Sequence, residues 1–326
     1  MIDELKKISS LIGNTPLRQL NHEHANLYAK IEYANLTGSI KDRAAFNVLY
    51  QAIKRGEINQ DTTVVESSSG NFAIALATIC SLLGLRFVPV IDPNVNKDNE
   101  KLLKYLVPEV VKVTEPDHTG GYLLTRIQTV KDLCQQNTNS YWPNQYANPD
   151  NYLSYYHTLA VELCQAFDTL DYAFIAVSSG GTITGTSRRL KEKYPNIKII
   201  AVDVEGSVIF GNKPAKRYVS GIGASKVPVS LQNAIIDDVV MVSHADLFQG
   251  CQDLLSKQSV FGGASAGAVY AAANRYLANI SNGNTTDKPN AVFICPDKGS
   301  SYLDTVFNPQ WVTNINSKIS NEYVLA

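Results

Sequence analysis

Lys41 stands in Gly38-Ser39-Ile40-Lys41-Asp42-Arg43, a lysine at the mouth of a predicted helix directly after a turn of small residues. Over 41–54 the apolar residues Ala44, Val48 and Ala52 fall at helical spacing, so Thr37-Gly38-Ser39 hands the chain into a helix that this lysine opens. A lysine held out of water beside polarising groups has a lowered pKa and forms a Schiff base with an aldehyde. Alone, Lys41 reads better as a solvated helix-start residue, because lysines are seldom buried. Its companions reverse that reading.

Those companions are three glycine-rich turns, each placed where a predicted strand meets a predicted helix. The first, Glu66-Ser67-Ser68-Ser69-Gly70-Asn71-Phe72, follows an apolar stretch at 63–65 and leads into 73–83. Unpaired N–H groups at a helix start, aided by the helix dipole, suit a carboxylate or phosphate there, although Ser and Asn also serve as ordinary caps. The second follows the apolar run 172–177 and reads Ser178-Ser179-Gly180-Gly181-Thr182-Ile183-Thr184-Gly185, before a helix carrying Arg188 and Arg189. Adjacent glycines let backbone approach a phosphate, and the hydroxyls add donors. It lacks a P-loop lysine and G-x-G-x-x-G spacing, which excludes nucleotide hydrolysis and ordinary dinucleotide binding. The third, Phe261-Gly262-Gly263-Ala264-Ser265-Ala266-Gly267, starts an alanine-rich helix over 268–276, where small residues also permit close helix packing. Gly221-Ile222-Gly223-Ala224 adds a further tight turn.

From Ile12 to Asp304 the order of these motifs resembles fold-type II pyridoxal-phosphate enzymes, in the cysteine synthase and cystathionine β-synthase family. The resemblance rests on Asn35-Leu36-Thr37-Gly38-Ser39-Ile40-Lys41-Asp42-Arg43, Ser68-Ser69-Gly70-Asn71, Gly180-Gly181-Thr182 and Gly263-Ala264-Ser265-Ala266-Gly267. Gly13-Asn14-Thr15-Pro16-Leu17 and Pro296-Asp297-Lys298-Gly299, with Tyr302-Leu303-Asp304, support it. The resemblance implies that Lys41 holds pyridoxal 5'-phosphate as a Schiff base and removes the substrate α-proton. It implies that Asn71 meets the ring hydroxyl and that Ser68, Ser69, Gly70, Asn71 and Phe72 grip the substrate carboxylate. Ser178, Ser179, Gly180, Gly181 and Thr182 would bind the cofactor phosphate, Ser265 the ring nitrogen, and Gly221 the substrate. A serine hydroxyl does not keep that nitrogen protonated as an aspartate does. Loss of a β-leaving group and its replacement are then favoured over transamination or decarboxylation.

Several positions depart from plain cysteine synthases. The carboxylate loop reads Ser68-Ser69-Gly70-Asn71-Phe72 in place of Thr-Ser-Gly-Asn-Thr, Ser178 and Tyr146 replace Gly and Phe, and Leu36 replaces a proline. The segments 205–214 and 116–123, and Asn144-Gln145-Tyr146-Ala147-Asn148, resemble the siderophore-pathway branch of N-(2-amino-2-carboxyethyl)-L-glutamate synthases. Those enzymes make a 2,3-diaminopropionate precursor from O-phospho-L-serine and L-glutamate. A dianionic nucleophile needs hydroxyl donors and a cation, which Ser178, Tyr146 and Arg126 or Lys213 would supply. Cysteine synthase proper, with sulfide and O-acetyl-L-serine, remains the alternative. A catalytically idle regulatory binding protein is another, against which the retained Lys41 argues.

The 326 residues, 44% of them hydrophobic, suffice for one large core or two smaller ones, and a net charge of −1 with pI 6.5 signals neither nucleic acid nor membrane as partner. The five cysteines are scattered and form no C-x-x-C pair, as expected of buried thiols in a reducing cytoplasm. The histidines show no metal-ligand spacing, and His118 and His157 remain only as candidate pocket residues. Residues 1–13 read as a short amphipathic helix without signal-peptide character, and the apolar stretch 73–85 is too short for a membrane span.

Predicted strands at 27–31, 63–65, 87–91, 110–113, 172–177, 199–202, 239–242 and 291–294 alternate with helices, the pattern of an α/β fold with parallel sheets. Segments 137–140 and 282–288 read as surface turns, and the residues after Trp311 as a polar tail. The resemblance implies the architecture of the tryptophan synthase β-subunit, with two domains of twisted, mostly parallel sheets flanked by helices. Residues 41–146 would form the smaller mobile domain, and 1–40 with 147–326 the larger cofactor-binding one. It also implies a homodimer.

Overall fold

The structure, a computed structural model, describes residues 1–118, 120–280 and 288–324, with side chains through 320. Among the described residues, ten strands form two sheets. They are β1 (Leu17–Leu20), β2 (Asn26–Ile31), β3 (Thr63–Glu66), β4 (Arg86–Ile91), β5 (Val111–Lys112), β6 (Ser140–Tyr141), β7 (Tyr172–Ala176), β8 (Lys198–Val204), β9 (Asp238–Val242) and β10 (Asn290–Cys295). The larger sheet runs β1-β2-β10-β7-β8-β9, parallel except for the antiparallel edge pair β1/β2. The smaller, β5-β4-β3-β6, is wholly parallel. Strands such as Tyr172-Ala173-Phe174-Ile175-Ala176 are nearly continuous apolar runs because helices cover both faces of a parallel sheet.

Eleven α-helices accompany the strands among the described residues. They are α1 (Ile2–Ile8), α2 (Lys41–Lys54), α3 (Asn71–Leu83), α4 (Lys97–Leu106), α5 (Leu123–Gln136), α6 (Pro149–His157), α7 (Leu159–Ala166), α8 (Gly181–Lys193), α9 (His244–Gln258), α10 (Ala264–Ile280) and α11 (Pro309–Val324). One apolar cluster joins α2, α3 and the inner face of the larger sheet through Leu49, Leu76, Ile175 and Ile199. A second lies on that sheet's other face beneath α9 and α10, and a third, smaller one packs α5 on the small sheet through Val65, Val90 and Val130.

One strand was not expected, and two expectations need correction. Leu17-Arg18-Gln19-Leu20 is a strand, hidden in the sequence because its position at a sheet edge removes the apolar alternation. Ser140, read as part of a turn, begins β6. The presumed polar tail is helical, with Trp311, Val312, Ile315 and Ile319 packed against the second cluster. The expected turn at 282–288 lies outside the described residues apart from Lys288.

The α3 helix stops at Gly84, whose φ of +66° supplies the left-handed cap that an L side chain resists. No helix among the described residues is long and apolar enough to cross a membrane.

Candidate active site

The carboxyl ends of β2, β3, β7 and β10 feed the chain into one cleft, where ligands of parallel α/β sheets usually bind. The cleft holds a cavity of about 210 Å³.

After β2, Gly38 adopts φ +88° in a turn closed by its N–H on the Asn35 carbonyl at 2.9 Å. Thr37 then clamps the next helix by donating N–H (2.8 Å) and hydroxyl (2.5 Å) to the Asp42 carboxylate. Two residues past Lys41, Arg43 is fully buried. Its guanidinium binds Glu32 at 2.6 and 2.8 Å and Glu162 at 2.6 and 2.9 Å, while Lys30 Nζ reaches Glu162 at 2.6 Å. The Thr15 hydroxyl donates to Glu32 and the Asn14 N–H to Glu162, which gives the motif Gly13-Asn14-Thr15 a physical purpose. The cluster bolts the first turn of α2 to β2 and α7. Burial works against the charge on Glu162, but Arg43 and Lys30 bring its carboxyl down to about 2.

So anchored, Lys41 lines the cavity with Nζ 3.2 Å from Ser179 Oγ. Burial lowers its pKa to about 8, opposed by Asp297. That leaves a useful fraction of neutral amine for attack on an aldehyde.

After β3, Gly70 is the N-cap of α3 in extended conformation, with no side-chain cap. The first N–H accepted within the helix is that of Ile74, so those of Asn71, Phe72 and Ala73 lack intrahelical acceptors, the arrangement in which a helix start can bind an anion. A Cβ added at Gly70 would meet nothing within 4 Å, so the space there is open for a ligand. Phe72 buries its ring in the first apolar cluster, so only its backbone serves the cleft. Behind the loop, Glu66 receives Trp142 Nε1 at 3.3 Å, and burial pushes its carboxyl up to about 7.

After β7, Gly180 caps α8 at φ +81°, again without a side-chain cap. A Cβ on Gly180 would come within 2.6 Å of Ser230 Oγ, and one on Gly181 within 2.6 Å of Asn151 Oδ1. A side chain at either position would need a neighbour to shift, and with no side-chain cap the start of α8 has the form in which helix N-termini accept anions. Ser178 Oγ donates to the Gly223 carbonyl at 3.1 Å, and Ser179 is 5% exposed.

After β10, Asp297 accepts from Asn71 Nδ2 at 2.8 Å and Tyr302 hydroxyl at 2.9 Å, while Oδ1 is buried without a hydrogen bond. Ser265 lies buried in the first turn of α10, two residues beyond Gly263, where a Cβ would strike Asp297 Oδ1. Gly267 answers to helix packing, since a Cβ there would lie 2.2 Å from Cys251 Sγ of α9.

Of the residues singled out from sequence, Lys41, Ser68, Ser69, Gly70, Asn71, Phe72, Tyr146, Ser178, Ser179 and Gly221 line the cavity. Gly180, Gly181, Thr182 and Ser265, at the starts of α8 and α10, are not among the residues lining it. Arg126 is in the wall, tied to Asp92 at 3.2 Å with Nη1 3.5 Å from Ser69 Oγ. Lys213 is exposed and outside it, as are His118 and His157. Sequence reasoning quoted Gln145, Asp297 and Tyr302 within motifs but assigned them no part, and missed Ser220 and Ser301. Four cysteines are buried, Cys134 is half-buried, and all five are free thiols. No metal-binding cluster of acids, cysteines or histidines occurs among the described residues.

A lysine with a depressed pKa beside two uncapped helix N-termini, in a parallel α/β cleft, defines a fold-type II pyridoxal-phosphate enzyme. The chain belongs to the pyridoxal-phosphate dependent enzyme family, whose model matches residues 8–297. It is 41% identical over 315 residues to N-(2-amino-2-carboxyethyl)-L-glutamate synthase of Ralstonia nicotianae, covering 95% of this chain and 92% of that protein. It is also similar to the crystal structure of O-acetylserine dependent cystathionine β-synthase from Helicobacter pylori. That match has TM-score 0.83 and 30% identity and covers 91% of this chain and 97% of the other. O-ureido-L-serine synthase matches with TM-score 0.83 and 26% identity, over 93% and 95% of the two chains.

Proposed function

We propose that this enzyme performs β-replacement on an O-activated L-serine, O-phospho-L-serine or O-acetyl-L-serine. An amine, L-glutamate in our reading, enters at the β-carbon to give N-(2-amino-2-carboxyethyl)-L-glutamate. The observation that carries this is the convergence of Lys41 Nζ, the uncapped start of α3 and the Arg126 guanidinium on one cavity. The relative in Ralstonia supports the choice of amine.

Bound pyridoxal phosphate supplies an electron sink for the substrate α-carbon. Lys41 is assigned to hold the cofactor and to move the α-proton, and Ser178, Ser179, Gly180, Gly181 and Thr182 to hold its phosphate. Asn71, with its amide oriented by Asp297, serves the ring hydroxyl. Ser265 serves the ring nitrogen as a neutral partner, which favours β-elimination over longer-lived carbanion chemistry. The N–H groups of residues 68–72 orient the donor carboxylate, with Gly221 opposite. Arg126, Tyr146 and Ser178 receive anionic groups of leaving group or nucleophile.

We assign residues 41–146 as the smaller, mobile unit and 1–40 with 147–326 as the larger, α2 staying tethered through Arg43. The bond from Asn96 Nδ2 to the Ser301 carbonyl, at 3.2 Å, would tighten as the cleft closes and excludes water. A cytoplasmic homodimer in siderophore biosynthesis is the corresponding cellular reading.

The test is a product assay of purified holoenzyme with each donor, paired with L-glutamate, L-aspartate, ammonia or sulfide. We expect an amine adduct by mass spectrometry. Rapid turnover with sulfide and none with any amine would instead identify a cysteine synthase. A protein that stays colourless with added pyridoxal phosphate would favour an idle regulator.

A further inference from the structure

Asp297 and Tyr302 both line the cavity and both are buried. The backbone at Asp297 is stitched on two sides. Ile40 N–H donates to the Pro296 carbonyl at 2.7 Å, and Ser39 forms an antiparallel bridge with Asp297, which ties this peptide to the Lys41 turn. Gly263 N–H donates to the Asp297 carbonyl at 2.9 Å, which ties it to the start of α10.

The side chain is held as firmly as the backbone. Oδ1 lies over Gly263, where a Cβ would overlap it, and has no hydrogen-bond partner. Oδ2 takes both donors, Asn71 Nδ2 at 2.8 Å and the Tyr302 hydroxyl at 2.9 Å. That hydroxyl is also 3.4 Å from the Ser220 carbonyl, and a Cβ added at Gly221 would come 3.1 Å from it. Tyr302 is therefore wedged between Asp297 and the Ser220-Gly221 turn. Burial pushes the Asp297 carboxyl up, while the hydrogen bonds from Asn71 and Tyr302 and the charge of Lys41 favour its ionised form.

An ionised carboxylate only accepts, so it selects the NH2 end of the Asn71 amide. That nitrogen carries two N–H groups, of which Asp297 takes one, and Nδ2 makes no other hydrogen bond among the described residues. Asn71 itself lines the cavity.

We infer that Asp297, steadied by Tyr302, is a positioning residue for the cofactor, turning the Asn71 amide so that an N–H and not the carbonyl meets the ring oxygen. The inference deepens the assignment of Asn71 made above and rests on it. A hydrogen bond to the charged form of a group favours that form, so the N–H favours a ring oxyanion with its proton on the adjoining Lys41 nitrogen. A carbonyl in the same place would keep the proton on the ring oxygen. The first arrangement absorbs in the visible and the second in the near ultraviolet, which makes the orientation of one amide readable as a colour.

Absorption spectra of the holoenzyme without substrate test this in the wild type, Asp297→Leu, Asp297→Asn, Tyr302→Phe and Asn71→Ala. The wild type should absorb mainly in the visible band, and a wild type dominated by the near-ultraviolet band overturns the inference without any variant. Asp297→Leu, which offers Asn71 no acceptor, should lower the ratio of visible to near-ultraviolet absorbance by about 2- to 10-fold, the range of one hydrogen bond. Asp297→Asn should retain more of the ratio, because its carbonyl still accepts from Asn71. Tyr302→Phe should shift the ratio the same way as Asp297→Leu by a smaller factor, and it carries the test if Asp297→Leu does not fold. A ratio that falls in Asn71→Ala but stays unchanged in Asp297→Leu or Tyr302→Phe overturns this inference alone. A ratio unchanged in Asn71→Ala removes the assignment of Asn71 as well. Loss of bound cofactor in Asp297→Leu with the remaining ratio unchanged shows a structural role and also overturns it.

Discussion

Lys41 and Asp297 set the chemistry at the scale of single residues. Lys41→Ala should leave a protein that reduction with borohydride no longer links to pyridoxal phosphate. It should slow α-proton removal by roughly two to four orders of magnitude, the share of a general base. Deuterium exchange at the substrate α-carbon measures that step. Ser265→Ala should cost less, about 1 kcal/mol for one hydrogen bond, seen as a modest fall in turnover. The buried Asp297 carboxylate opposes the desolvation of Lys41, so Asp297→Asn should move the Lys41 titration to still lower pH. The pH dependence of amine modification in cofactor-free protein reports it. No sequence signal exposed the hydrogen-bond partner of Asp297. Asn71 and Asp297 are 226 positions apart, and only the fold brings that amide to that carboxylate.

Glycines that look alike in sequence divide by task at the scale of elements. Gly70 borders open space and its backbone is extended, so Gly70→Ala should fold with near-normal stability while its methyl group crowds the donor carboxylate and raises the donor KM. Gly267 touches α9, where Gly250 likewise approaches the Gly267 carbonyl, so Gly267→Ala should lower stability by about 1–3 kcal/mol through overpacking. Urea unfolding and donor kinetics on the two variants separate the roles. The strand-turn-helix units around residues 63–83 and 172–193 were legible because apolar runs and glycines announce them locally. The edge strand Leu17–Leu20 and the two-residue β6 were not, because both are defined by pairing with distant strands. Trp311 and Ile315 joined a core that exists only once α9 is in place.

Buried charge shapes stability at the scale of the whole molecule. Breaking the ion cluster with Arg43→Met should cost about 3–5 kcal/mol, since Glu32 and Glu162 would remain buried without their main partner. Its pH signature has a definite sign. The Glu162 carboxyl sits below its ordinary 4.5, so its contribution is complete above that value and disappears as pH falls toward about 2. Glu66 behaves oppositely. Its folded-state value of about 7 exceeds 4.5, so the stability it provides is full below 4.5 and drains away as pH rises to 7. Glu66→Gln should therefore gain on the wild type across that upper window, read by denaturant midpoints at matched ionic strength.

The Arg43 cluster also has a consequence for biosynthesis. Arg43 and Glu162 are 119 positions apart, and Asn14 and Glu162 are 148 apart, so this contact closes late by chain length. A nascent polypeptide that has emerged from the ribosome only as far as α6 carries Lys41, Arg43 and Glu32 but not Glu162, so the cluster that ties the first turn of α2 to α7 is still missing its second acid.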